Sequence, residues 1–127
     1  MNIWKLKNPV YGIDTYLCID SDHKRFADRV ARKFPGCDVE QFCEDFGCCF
    51  YVTSLATGRR AYFVWQRWFK KNSPGHLAFL AHEFYHLVRQ QLEYLGVKEQ
   101  EGSSEAGAYF MSFMFGQALE ILGRSKK

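Results

Sequence analysis

The stretch Ser73-Pro74-Gly75-His76-Leu77-Ala78-Phe79-Leu80-Ala81-His82-Glu83-Phe84-Tyr85-His86 fixes the organisation of the chain around it. Ser73 offers a helix N-cap, and Pro74 takes the first helical position, where its missing N–H costs nothing. Leu77, Leu80, Ala81, Phe84, Leu87, Val88, Gln91, Leu92 and Leu95 then recur at three- and four-residue intervals as a broad stripe, and Gly96 is the stop. The spacing predicts one long helix from Pro74 to about Tyr94. Residues four apart share a helix face, so His82 and His86 can aim both imidazoles at one point, with Glu83 turned about 100° from His82.

Two strand-like runs precede this helix. Cys48 to Leu55 and Arg60 to Trp68 are separated by Ala56-Thr57-Gly58-Arg59, a hairpin spacing with glycine in the turn. Both alternating sets of the second run are largely apolar, so it should be covered on both faces. Ile13 to Ile19 reads as a further strand, and Asp20-Ser21-Asp22 can cap a helix over about Asp22 to Phe34, with Phe26, Val30 and Phe34 on one face. Pro35-Gly36 ends it, and a short helical turn around Val39 to Phe46, closed by Gly47, is expected next. Beyond the long helix, Lys98 to Gly102 is a polar loop. Ser103-Ser104 is then the cap of a last helix, Glu105 to Leu122, whose Phe110, Phe113, Met114, Ala118 and Ile121 are core material. The order predicts an α+β fold, one domain over residues 1–127, with a small antiparallel or mixed sheet packed on the histidine-bearing helix and a C-terminal helix.

The composition suits one core: 127 residues, 47% hydrophobic, with 12 Phe, 7 Tyr and 3 Trp. Seventeen basic against 14 acidic residues, net +3, is not the one-sided balance of a dedicated nucleic-acid binder. Arg59-Arg60 and Arg67 with Lys70-Lys71 flank one strand and read as solvated strand ends. No apolar run of about 18 residues occurs and the N-terminus carries no export signal, which points to the cytoplasm and away from a membrane partner. The five cysteines are an odd number without repeated CxxC spacing, and Cys48-Cys49 are adjacent, so reduced thiols are expected. A structural zinc on Cys37, Cys43 and Cys48 would match no zinc spacing.

His82-Glu83-x-x-His86 is the spacing with which two imidazoles hold zinc while the glutamate acts as general base on a zinc-bound water. Chance produces it in roughly one of 170 shuffled chains of this composition, so the capped helix around it has to carry the argument. His82 is read as lying on or beside the apolar stripe, where an unpaired imidazole costs about 1–3 kcal/mol and a metal would satisfy both rings. A catalytic zinc needs a third protein ligand. No histidine follows His86, and the positions three and six residues on are Arg89 and Leu92, so a carboxylate must serve. Glu105, opening the last helix, is the best placed; Glu101 is the reserve, and Glu93 and Glu99 are less well placed. Glu105 has a structural alternative as an acid complementing the helix dipole. Tyr109, four residues on, reads as a core tyrosine bracing a ligand or as a catalytic donor. His76 could serve the transition state or be a surface histidine. Ser112 and Gly116 would let the two helices approach closely.

His82-Glu83-Phe84-Tyr85-His86 followed by Glu105-Ala106-Gly107-Ala108-Tyr109 resembles the gluzincin type of zincin metallopeptidase, and more narrowly small phage-encoded proteins assigned as metallopeptidases. The clear part of the resemblance covers roughly residues 76 to 122. It implies a minimal zincin core with Zn2+ on His82, His86 and Glu105, Glu83 as base, and a peptide or protein substrate lying along the strand before the active helix. It also implies a host-cytoplasmic location. The rival reading is a zinc-stabilised, non-catalytic interaction module that binds a host protein. Thiol titration of the denatured protein is expected to find about five free groups.

Overall fold

The computed structural model describes residues 2–34, 46–55, 57–97 and 101–124. Four strands, β1 (Asn2–Leu6), β2 (Asp14–Ile19), β3 (Gly47–Thr53) and β4 (Arg60–Gln66), join in one sheet of order β1-β2-β4-β3. The outer pairs β1–β2 and β3–β4 are antiparallel, and the central pair β2–β4 is parallel. The sheet is therefore mixed. Three helices complete the α+β fold: α1 (His23–Lys33), α2 (Pro74–Tyr94) and α3 (Glu101–Arg124).

Strand alternation divides the core in two. Tyr16, Cys18, Phe50, Val52, Ala61, Phe63 and Trp65 face one side and pack with Phe26, Ala27 and Val30 of α1. Leu6, Leu17, Ile19, Tyr62 and Val64 face the other, under Leu80, Phe84 and Leu87 of α2 and Phe110 and Met114 of α3. β4 is thus covered on both faces, as its two apolar sets require. The α1 cap is Asp22, whose side chain accepts from the Lys24 and Arg25 backbone N–H groups. Buried Asp20 accepts from the Arg25 guanidinium at 2.7 and 3.0 Å.

Ser73 caps α2 by accepting from the His76 N–H at 3.2 Å, with Pro74 beside it. At the other end Gly96 turns with φ 79°, and the Val97 N–H bonds the Leu92 carbonyl at 2.9 Å. Gln91, read above as part of an apolar stripe, is instead a buried polar pin. It donates to Thr15 Oγ1 at 2.9 Å and accepts from Asn8 at 3.0 Å.

Several expectations are corrected. β1 was not anticipated. α3 starts at Glu101, so Ser103 and Ser104 fall inside the helix and not at its cap. Gly47 opens β3; the turn expected over Val39 to Phe46 lies, apart from Phe46, outside the described residues, as do Cys37, Cys43 and Glu99. The strand preceding α2 is β4, and it is internal to the sheet; β3 occupies that end of the sheet order. At the basic strand ends Arg59 is exposed, as expected, and pairs with Asp14 at 3.3 Å, while Arg60 is half-buried between the Tyr51 and Tyr94 rings at 4.1 and 4.0 Å. Among the described residues no helix is long and apolar enough to cross a membrane.

Close approach of β3 to α2 depends on Gly47. A Cβ there would lie 2.7 Å from the Trp65 carbonyl oxygen and 3.2 Å from the Phe79 ring. Gly47→Ala is expected to lower stability by about 1–3 kcal/mol, the cost of overpacking, read from the midpoint of urea unfolding.

Candidate metal centre

The middle of α2 turns two faces to different surroundings. Leu80, Phe84, Leu87 and Val88 point into the core, so the residues about half a turn away must point out. His82 and His86 are accordingly exposed. Their rings meet edge to face with centroids 4.6 Å apart, and the two Nε2 atoms lie 3.1 Å from each other, within hydrogen-bond distance when one ring is protonated there and the other is not. Two nitrogens held by one tetrahedral zinc at about 2.0–2.1 Å stand roughly 3.3 Å apart, so the pair fits the bite of a single ion. The rings are steadied from both sides, by Phe79 at 6.3 Å from His82 and by Tyr85 at 6.2 Å from His86.

Of the three polar residues of the motif Glu83 is the buried one, only 7% exposed. Burial raises its carboxyl above the ordinary value, and the neighbouring His82 and His86 act in the opposite direction. Across from it on β3 is Cys49, whose thiol is pushed up by its own burial and then by the Glu83 charge. The Cys49 thiol donates to Gln90 Oε1 at 3.7 Å. Cys49 and Gln90 are neighbours of the candidate base that the sequence reading missed. Strand alternation, with Cys49 on the α2 face, was the signal that could have found them.

Burial therefore falls opposite to expectation. The imidazoles are solvated and the carboxylate is not, so the desolvation argument for a metal on His82 lapses and the convergence of the two rings replaces it. Glu105 is exposed near the start of α3. The helices run antiparallel: a Cβ on Gly107 would meet Leu92 at 3.5 Å, Phe115 packs on Phe84 at 5.8 Å, and Lys71 donates to the Gly123 carbonyl at 2.8 Å. That register sets Glu105 opposite the last turn of α2, about 12 Å along the axis from the level of His86. Among the described residues no three His, Cys, Asp or Glu side chains gather as a ligand group. Glu105 is not brought to the histidine pair, and the Glu101 side chain lies outside the described residues.

Tyr109 is 70% exposed, so it is not the core tyrosine expected. His76 accepts from the Lys70 backbone N–H through Nδ1 at 2.9 Å and packs on Phe46, which makes it a pin for the loop before α2. No family model matches the chain, and neither a curated protein nor a solved structure matches it.

Zinc titration against a chromophoric chelator is expected to separate these residues. His82→Ala and His86→Ala should each weaken binding by more than about 100-fold, beyond the 10–100-fold typical of an outer partner. Glu105→Ala should change it by less than about threefold, the scale of a surface substitution.

Proposed function

We propose that the chain is a zinc-dependent hydrolase, and in particular a peptidase, in which His82 and His86 hold the ion and Glu83 is the general base. The observation that carries this is the 3.1 Å convergence of the two Nε2 atoms beside a buried carboxylate on the same helix. The likeness of His82-Glu83-Phe84-Tyr85-His86 to the zincin motif points the same way. Bound zinc would supply a Lewis acid and lower the pKa of a water toward neutrality.

The chain's own part falls to Glu83. A carboxylate that has lost solvent is a stronger base than a solvated one, and burial has that effect here. Its position one residue from His82, against β3, suits it to take a proton from a water at the histidine pair and to return it to the leaving amine. β3 terminates the sheet order next to α2, and an extended peptide adding to it would lie along the same side. The substrate class is accordingly a peptide or protein, and the working compartment the cytoplasm, of the host if the chain is phage-encoded.

One observation favours a second reading. With no third donor among the described residues, the pair could hold a zinc that stabilises an interaction surface without turnover. Glu83→Gln keeps shape and hydrogen bonding while removing the basic oxygen, and it separates the two. The wild type is screened against an unbiased peptide library, and any cleaved sequence is compared across wild type, Glu83→Gln and chelator-treated protein. The hydrolase reading expects zinc content to survive in Glu83→Gln while the rate falls by about 100-fold or more. Equal cleavage by both proteins, or none by the wild type at full zinc occupancy, would remove it.

A further inference from the structure

α1 and α3 differ in what they turn to solvent. The outer face of α1 is charged, with Lys24, Asp28 and Arg32 exposed, as a surface helix requires. Between Glu105 and Glu120, α3 carries no charged residue on any face. A helix that is apolar all round belongs in a core or a membrane, and among the described residues no helix is long and apolar enough to cross one. Yet the core covers only one side of α3. Met114 and Ala118 are buried, Phe115 packs on Phe84 of α2, and Gln117 bonds the Lys7 backbone at 2.6 and 2.9 Å, so Gly116 points straight out. A Cβ there would meet nothing within 4 Å. Nearby, Tyr109 is 70% exposed and Phe113 46%.

Single exposed aromatics are ordinary on a protein surface, and an acid near the start of α3 is explained by the helix dipole. Neither accounts for the spacing. Glu105, Tyr109, Ser112, Gly116, Leu119 and Gly123 recur at alternating intervals of four and three, the seam of a paired helix, and this seam lies opposite the core. Ser112 and Gly116, expected to ease the approach of α3 to α2, lie on this open side instead.

We infer that this face pairs with its own copy on a second chain, the two α3 helices running antiparallel across a two-fold axis. Turned end for end about the level of Met114, the seam meets itself position by position: Tyr109 lies against the partner subunit's Leu119, and Ser112 against the partner subunit's Gly116. The small pair sits at the centre and lets the backbones close until the larger pairs touch on either side. The charges agree with this direction. The acidic start of one helix falls beside the basic end of the other, where Arg124 is followed in the sequence by Lys126 and Lys127, and the two helix dipoles oppose each other. A parallel pair would set like charges together. At 24 residues the face is about 36 Å long and about 10 Å wide, half or less of the roughly 800 Å² that each partner of a stable dimer buries, so the pair is a weak one of micromolar affinity. It lies on the side of α3 away from α2 and holds whether or not the histidine pair binds zinc.

The test is sedimentation equilibrium of the full chain, with a chelator present so that zinc cannot bridge, from about 5 to about 500 μM, a range that brackets a weak dimer. The wild type is expected to pass from 14.9 kDa to twice that mass as concentration rises. Tyr109→Glu and Leu119→Lys should each weaken association by more than about tenfold, because each buries an unpaired charge in the seam. Their equimolar mixture should restore it, since the new acid of one chain then faces the new base of the other while the second contact stays Tyr109 on Leu119. Leu119 is half-buried, so Gly116→Lys, whose side chain enters open space, gives an independent reading. It should abolish pairing while keeping the wild-type circular dichroism and unfolding midpoint. A wild type that stays monomeric at the top of the range overturns the proposal. So does undiminished association of Gly116→Lys, or a mixture of the two folded seam variants that associates no better than either alone.

Discussion

Strand β4 hydrogen-bonds to a neighbour on each side and is apolar on both faces, and the placement of the other elements follows from that. Ala61, Phe63 and Trp65 require cover on one face while Tyr62 and Val64 require it on the other. One helix cannot do both. α1 takes the first face through Phe26, Ala27 and Val30, and α2 takes the second through Leu80, Phe84 and Leu87. With α2 so oriented, a rotation of 100° per residue leaves His82 and His86 no direction but outward and turns Glu83 toward β3. The candidate chemistry is a by-product of how the central strand is buried.

Much of this was legible because the signals were local and physical. The Ser73-Pro74 cap and the Gly96 stop bracket α2 as expected, and the double apolar pattern of Arg60 to Trp68 announced a strand covered on both faces, though not its place inside the sheet. What was not legible was relational. β1 is five residues whose apolar Ile3, Trp4 and Leu6 follow no strict alternation, too short to announce itself without its partner β2. Ser103-Ser104 looked like a cap because a serine's role depends on where the chain enters the helix, and here it enters at Glu101. The sequence pattern makes the apolar stripe broad enough to include the edge where His82 lies; only packing shows that its centre runs through Phe84 and Leu87.

Exposure of the two imidazoles changes the weight of the argument for a metal. Solvated histidines incur no desolvation cost, so nothing about stability compels a ligand between them. The group that does bear such a cost is Glu83, a carboxyl held against β3 within the influence of two imidazoles and the Cys49 thiol. A buried carboxyl next to converging metal-capable nitrogens is a feature that function explains more readily than packing, since an apolar residue at position 83 would serve the core at no such cost.

The same packing limits where a third donor for the pair can come from. Phe84 faces α3 through Phe115, and His82 and His86 each lie two residues from Phe84, hence about 160° round the helix on its far side. Sliding α3 along α2 would bring Glu105 level with His86 but leave it on the wrong side. Rolling α3 around α2 would lift Phe110, Met114, Ala118 and Leu122 out of the core. At about 1.5–3 kcal/mol for each large apolar side chain re-exposed, that approaches the whole stability of a small domain. A Glu105 ligand would therefore require the packing of α3 on α2 to change. Of the described surroundings, the flank of α2 that α3 leaves open lies between the histidine pair and β3.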